Sequence, residues 1–238
     1  DNPLISHTVA DFWGVDEGAE IYGSLGRLQY VVAVQNGGHP AAADGTSSKA
    51  MTARLGFDPW SGLHLSLSGM RTGAISFASD VRAELWFGNT WITRQAGSAA
   101  TVFEADLWQV DARQSWRSGH LAANGGALRY SENKAGPGQI LRSYFGAVEV
   151  VQKTSEKTYL GLRYSLVDSA KGFLLPGDGA IAVTTPTEYL WRLSFGAGYQ
   201  LNSNLRFKTE YSFNGGRWLG GAARKDQNQM AIEAAFKL

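Results

Sequence analysis

Apolar and polar residues alternate with a period of two through most of the chain, which is typical of β-strands with one apolar face. The last run, 228–238, places Met230, Ile232 and Phe236 on one side of a strand and Glu233 on the other. Ten earlier runs share this period and pair into five hairpins through short turns. These pairs are 19–26 with 28–37, 49–59 with 62–70, 100–116 with 120–132, 142–153 with 158–168, and 190–201 with 205–215. The pattern predicts an all-β chain.

The connections between these runs come in two alternating sizes. Short turns join the members of each pair, whereas longer polar or glycine-rich segments join successive pairs, the longest being 71–99. Transmembrane β-barrels have short turns at the periplasmic rim and long loops outside. We therefore predict a transmembrane antiparallel up-and-down β-barrel of about 11 to 12 strands. It would form a single domain over 1–238, with 1–18 as the end of an outer loop.

Run length and aromatic placement favour the same architecture. A strand needs about 9–11 residues to cross a bilayer obliquely, and every run except 100–116 has 8 to 13 residues. A soluble, lipocalin-like binding barrel with its apolar faces turned inward would share the alternation, but it does not predict two sizes of connection. Large aromatic side chains recur near the ends of the apolar faces, as in an interfacial girdle: Tyr30, Trp60, Trp116, Tyr144, Trp191, Tyr199 and Tyr211.

The number of runs is odd, which leaves two interpretations. Bacterial single-chain barrels have an even number of strands and begin and end in the periplasm. Either further strands precede this chain, or the segment 71–99 contains one more strand. Within it, VRAELWFGNTWITRQ (81–95) could be a strand, a short helix in a loop, or a segment folded into the lumen.

Composition narrows the function. The 238 residues include no cysteine, and the net charge of +1 gives no indication of nucleic-acid binding. The four histidines have no metal-chelating spacing, so we expect neither a metal nor a cofactor. A catalytic Ser-His-carboxylate site in the wall of a barrel would need residues that point outward at the outer rim. His64, Ser66 and Ser68 instead belong to the polar, inward face of their run, and they lie near a short turn. We therefore predict that the protein is not an enzyme.

Several phrases of the sequence support a family resemblance: DNPLIS, WGVDEGAEIYGSLG, YVVAVQNGG, SLSGMRTG and LRFKTEYSFNGG. With them the chain resembles Gram-negative outer-membrane porins, and more narrowly the phosphate-selective porin family and its uncharacterised relatives. The resemblance implies a sixteen-stranded homotrimeric channel, of which this chain would be the C-terminal two-thirds. It also implies inward-folded loops and an anion path lined by lysine and arginine. Such barrels commonly end on an aromatic residue, whereas this chain ends on Leu238 with Phe236 two residues before.

The polar faces of the strands predict which charges would line a lumen. Seven cations face four carboxylates, an excess that would favour anions weakly. The alternative is that these charges are paired across strands, as a wet interior requires. The predicted lumen residues are Arg54, Lys153, Arg163, Arg192, Arg206, Lys208 and Lys237, with His64, against Glu20, Glu149, Glu210 and Glu233.

The long connections supply a second set of candidates. At the outer mouth, Arg217, Arg224 and Lys225 could attract anions or bridge lipopolysaccharide phosphates. The segment 71–99 could form a constriction, a sugar-stacking slide, a subunit contact, or an ordinary strand with a lipid face. Its candidate residues are Arg71, Arg82 and Arg94 with Trp86, Phe87 and Trp91.

The sequence thus predicts a porin-like outer-membrane channel for passive diffusion of small hydrophilic solutes, with a weak preference for anions. Its expected partners are the lipid bilayer, lipopolysaccharide, the solutes and two further copies of the chain. Two alternatives stay open: a barrel that anchors an envelope assembly or has a plugged lumen, and a soluble lipocalin-like binding barrel.

Overall fold

The computed structural model describes residues 18–36, 48–73, 75–76, 102–132, 140–173, 187–225 and 228–236. These ranges fold into one antiparallel β-sheet. Within them, no helix is both long and apolar enough to cross a membrane.

The sheet contains thirteen strand segments in the described part of the chain. They are β1 (Gly18–Leu25), β2 (Leu28–Gln35), β3 (Ala50–Phe57), β4 (Leu63–Arg71), β5 (Ile75–Ser76), β6 (Val102–Trp116), β7 (Gly119–Glu132), β8 (Ile140–Lys153), β9 (Thr158–Phe173), β10 (Thr187–Gln200), β11 (Leu205–Trp218), β12 (Ala223–Lys225) and β13 (Gln229–Phe236).

Strand order follows chain order, so the topology is up-and-down. Both β4 and β5 pair with β6, and both β12 and β13 pair with β11, so the thirteen segments occupy eleven positions in the described sheet. This agrees with the eleven runs read from the sequence. Because β4 pairs directly with β6, from Leu63 opposite Gln114 to Arg71 opposite Asp106, the segment 71–99 places no strand between them. Residues 77–101 lie outside the described ranges.

Five of the central strands, β7 to β11, are longer than the runs of alternation that predicted them. Strands β6 to β11 contain 14 to 16 residues, not about 9–11. The bilayer-crossing length measures only the apolar section of a strand. The hydrogen-bonded ladder continues past that section toward the long connections, where the side chains become charged.

The predicted asymmetry of the connections is confirmed. Compact turns follow β1, β3, β6, β8 and β10 at one rim, and the strand ends joined by the longer connections lie at the other. Gly26 and Gly62 provide the positive φ values of 60° and 89° that two short turns need. In the turn after β10, the Asn202 Oδ1 accepts hydrogen bonds from the backbone N–H groups of Asn204 and Leu205, both at 2.9 Å.

The two faces of the sheet differ in burial, and the difference shows which way the sheet curls. The apolar face carries large exposed side chains, such as Trp108 at 60% and Val148 at 49% exposure. The polar face carries buried small residues, including Ser143 at 0% and Ser194 at 5%. Side chains crowd together on the inner face of a curved sheet and spread apart on the outer one. The polar face is therefore the inner face, the reverse of the arrangement in a soluble barrel with an apolar interior.

A small apolar core lies on the polar face toward the long connections. Phe145, Val167 and Leu190 are opposite one another on β8, β9 and β10, and each is at most 4% exposed. Leu128 on β7 is 1% exposed. The alternation did not reveal this core, because strands with apolar residues on both faces have no period of two.

Candidate functional site

Every predicted lumen residue within the described ranges lies on the polar face. Strand register brings several of them directly opposite one another: Glu149 faces Arg163, and Lys208 faces Glu233. Lys237 lies outside the described residues. The candidate site is therefore a band of charged side chains on the inner face of the sheet. The band runs from strand to strand, in the direction of the backbone hydrogen bonds.

One charge network joins β7, β8 and β9. The Arg163 Nε donates to Glu149 Oε2 at 2.6 Å, and Arg163 Nη2 donates to the same oxygen. The His120 Nε2 lies 3.4 Å from Glu149 Oε1. Because all three side chains are between a fifth and a third exposed, solvent screens the network and its contribution to stability is modest.

A second network lies on β10, β11 and β13. The Lys208 Nζ donates to Glu233 Oε1 at 2.9 Å. The Ser212 hydroxyl donates to Glu210 Oε1 at 3.0 Å and is 2.6 Å from the Ser194 hydroxyl. Lys208, Glu210 and Glu233 line an open groove of about 300 Å³ together with Glu149 and Arg163. The groove contains Arg163 and Lys208 against Glu149, Glu210 and Glu233, so cations and carboxylates are interleaved in it.

A third network joins β3, β4 and β6. The Arg54 Nη2 donates to Ser66 Oγ at 3.1 Å, and Ser66 Oγ donates to Asp111 Oδ2 at 3.1 Å. The Asp111 carboxylate also accepts from Gln109 Nε2 at 2.6 Å. Below this network, the His64 Nδ1 lies 2.7 Å from Asp58 Oδ1.

Two more of the predicted lumen residues have polar partners as well. Arg192 Nε donates to Asn214 Oδ1 at 2.7 Å, and Arg206 Nη2 donates to Gln200 Oε1 at 3.4 Å. Lys153 ends β8 beside the short turn 154–157.

Sequence reasoning missed several members of these networks. The parity of β6 marks Asp111 and Arg113 as polar-face residues, because they alternate with Val110 and Ala112. Their neighbours could not be read from the sequence, since the pairing depends on the strand register. Among the described side chains of the strands on the polar face, eight cations face five carboxylates. These are Arg54, Arg113, Lys153, Arg163, Arg192, Arg206, Lys208 and Arg224 against Glu20, Asp111, Glu149, Glu210 and Glu233.

The predicted outer-mouth residues divide between the two faces. Arg224 lies on the polar face, where its guanidinium is 4.7 Å from the Trp218 ring centroid and donates to Thr187. Arg217 lies on the apolar face, and its Nε donates to Glu188 Oε2 at 2.9 Å. Lys225 also has the parity of the apolar face.

Arg71 lies on the apolar face, so it does not point toward a lumen. Its Nε donates to Asp106 Oδ1 at 2.6 Å. The other candidates of the long segment (Arg82, Trp86, Phe87, Trp91 and Arg94) lie outside the described residues.

The part of the chain that the structure describes contains no cluster of metal ligands. Its two histidines, His64 and His120, each contact one carboxylate, and no group of three possible ligands forms there.

Solved structures with a similar fold come from Gram-negative outer membranes. DcaP, an outer-membrane channel of Acinetobacter baumannii, is 15% identical with a TM-score of 0.61 over 93% of this chain and 62% of its own. The anion-selective porin from Comamonas acidovorans is 10% identical with a TM-score of 0.62 over 97% of this chain and 64% of its own. OmpT, an outer-membrane protein of Vibrio cholerae, is 13% identical with a TM-score of 0.57, over 92% and 63%.

The chain has the fold of an outer-membrane β-barrel. It spans less than two thirds of the length of each of these barrels. At such low identity the similarity shows the fold alone. No protein-family model matches the sequence, and no curated protein matches it. The narrower resemblance to phosphate-selective porins therefore stays a prediction.

Proposed function

We propose that the protein is a porin-like channel of the outer membrane, through which small hydrophilic solutes diffuse passively, with a weak preference for anions. The observation that carries this proposal is the division of the sheet into two faces. Large apolar side chains are exposed on one face, and charged and hydroxyl side chains lie on the inner face. A barrel closed with this curvature has a lipid-facing exterior and a polar lumen.

The proposed anion preference is weak for a physical reason. Among the described side chains of the strands on the inner face, cations exceed carboxylates by eight to five, and Asp58 adds a sixth carboxylate beside His64. Arg163 and Lys208 each contact a carboxylate directly. The fields of paired charges largely cancel beyond the contact distance. A permeating ion would respond mainly to the remaining excess of positive side chains.

A barrel with a plugged lumen, serving as an envelope anchor, is the second candidate. The observation that favours it is the apolar core on the inner face, since Phe145, Val167 and Leu190 are buried where a wide open channel would be wet. The homotrimer, which the resemblance implies, and the closure of one barrel by further strands, which the odd number of runs also favours, stay predictions.

Planar-bilayer recordings of the full-length protein test the proposed function. We expect discrete conductance steps in symmetric KCl and a reversal potential of anionic sign in a KCl gradient. A membrane-inserted protein without conductance would support the anchor, and a reversal potential of cationic sign would contradict the anion preference.

Neutralising one lumen carboxylate should shift selectivity. In Glu149→Gln the amide keeps a hydrogen-bond acceptor for Arg163, while one negative charge disappears from the inner face. We expect the anion-to-cation permeability ratio to rise about twofold, because a unit charge acts on passing ions through water. The measurement is the reversal potential in a salt gradient.

Glu156→Gln is the matched control, since Glu156 is exposed in the short turn 154–157. It removes the same charge outside the barrel wall. An equal shift in both variants would show that Glu149 does not line the ion path.

A further inference from the structure

Three arginines form a row on the apolar face at the rim of the long connections. Strand register places Arg71 opposite Asp106, Asp106 opposite Arg129, and Arg129 opposite Arg142, on β4, β6, β7 and β8. With strands about 4.8 Å apart, the row is about 14 Å long. We call these three arginines, with Asp106 between the first two, the arginine row.

The row itself contains three arginines and one carboxylate, and two further carboxylates lie beside it on the same face. Asp106 accepts from Arg71 Nε at 2.6 Å and from Arg129 Nη1 at 3.4 Å. Arg142 is exposed and has no carboxylate contact among the described residues. Glu104 and Asp168 lie on the same face one step to either side of the row, at its fringe. The arginine side chains are open to their surroundings, with Arg71 63% and Arg129 44% exposed.

The row coincides with the outer boundary of the apolar band. On β6, Asp106 is ten residues from Trp116, which ends the strand at the short-turn rim. Ten residues span about 33 Å along a strand, or about 25 Å across the membrane at a tilt of about 40°, which is the height of the apolar band of an outer-membrane barrel. Below the row, exposed Trp108 and Tyr144 lie on this face, at 60% and 55% exposure.

We propose that the arginine row binds the phosphate groups of lipopolysaccharide in the outer leaflet. Guanidinium groups hold phosphate oxygens through paired N–H donors, and they do so best where apolar surroundings reduce screening. The position fits this ligand, since acyl chains would contact the apolar band while the phosphorylated headgroup lies at the row. The inference rests on the proposed membrane location and orientation but not on conduction, so a barrel that conducts no ions could still bind the lipid at this site.

The test compares two variants that lose the same charge. In R129Q/R142Q, Asp106 keeps its 2.6 Å contact with Arg71, so no carboxylate is left unpaired. R117Q/K157Q removes two cations from the short turns at the opposite rim. Binding of purified lipid A to each full-length protein in detergent is measured by native mass spectrometry, with folding checked by heat-modifiable electrophoretic mobility.

We expect R129Q/R142Q to bind bisphosphorylated lipid A about 25-fold more weakly, about fivefold for each arginine, and R117Q/K157Q to bind it like the wild type. Dephosphorylated lipid A should bind the wild type and R129Q/R142Q equally. R129K/R142K should regain part of the affinity, because lysine keeps the charge without the paired donors.

Three results would overturn the proposal. The first is equal affinity of wild type and R129Q/R142Q for bisphosphorylated lipid A. The second is equal affinity of the wild type for the phosphorylated and dephosphorylated lipids. The third is unchanged lipid binding with a loss of oligomer in R129Q/R142Q, which would make the row a subunit contact. Should the double variant fail to fold, R142Q alone leaves the contacts of Asp106 intact and is expected to lose about fivefold.

Discussion

Leu162→Arg should destabilise the folded protein in a membrane. Leu162 is 40% exposed on the apolar face of β9, opposite Val150 and Phe195. It is four residues from the start of its strand, which places it about 10 Å from the short-turn rim, near the middle of the apolar band. An arginine at the bilayer midplane of such a barrel costs about 2–4 kcal/mol. The measurement is urea-dependent folding of the full-length protein into lipid vesicles.

Gly161→Arg is the matched control, one residue away on the opposite face. A Cβ at Gly161 would have its nearest neighbour, Val151 Cγ2, at 3.8 Å, so the new side chain has room on the inner face. There it would be hydrated beside Glu149, and we expect a folded protein with altered ion selectivity. If both variants fold equally well, or if Gly161→Arg is the more damaging, the apolar face does not contact lipid.

Gly126→Ala should weaken the sheet at the boundary between β6, β7 and β8. A Cβ at Gly126 would lie 2.1 Å from the Trp108 carbonyl oxygen and 2.5 Å from Phe145 Cζ. The aromatic ring could turn, but the carbonyl belongs to the neighbouring strand and cannot move without disturbing the ladder. Overpacking of this kind costs about 1–3 kcal/mol. A lower urea midpoint of vesicle-folded protein is the expected result.

Gly125→Ala separates this steric effect from the general loss of a glycine. Its Cβ would meet nothing closer than the Phe145 carbonyl oxygen at 3.5 Å, an ordinary contact. We expect a change within about 0.5 kcal/mol. A similar loss of stability in both variants would mean that the close approach at Gly126 is not what limits the sheet.

These two glycines show how far the sequence can be interpreted. The pair at 125–126 lies inside an otherwise regular strand, where glycine commonly marks a bend or a bulge. The structure instead continues the ladder through both residues, with Gly125 opposite Val110 and Gly126 opposite Gln109. The requirement for glycine comes from a neighbouring strand, so no local pattern could reveal it.

The lumen charges show the same limit. Parity along each strand was enough to assign Glu149 and Arg163 to one face, because side chains alternate with a fixed period. It could not say that the two meet, since β8 and β9 would bring other partners together in any other register. In the structure, Arg163 and Lys208 each contact a carboxylate. This is the pairing of charges across strands that the sequence left open as an alternative. Their role in selecting ions stays a prediction.

The sequence by itself determined the all-β class, the eleven strand positions, the two sizes of connection and the apolar or polar character of each face. All of these depend on the period of two and on turn residues, which act locally. Tertiary structure decided which face is inner, which charges pair, where an apolar core interrupts the polar face, and that Arg71, Arg129 and Arg142 share one level. These features depend on curvature and register across strands far apart in the chain, and residue spacing along one strand does not specify either.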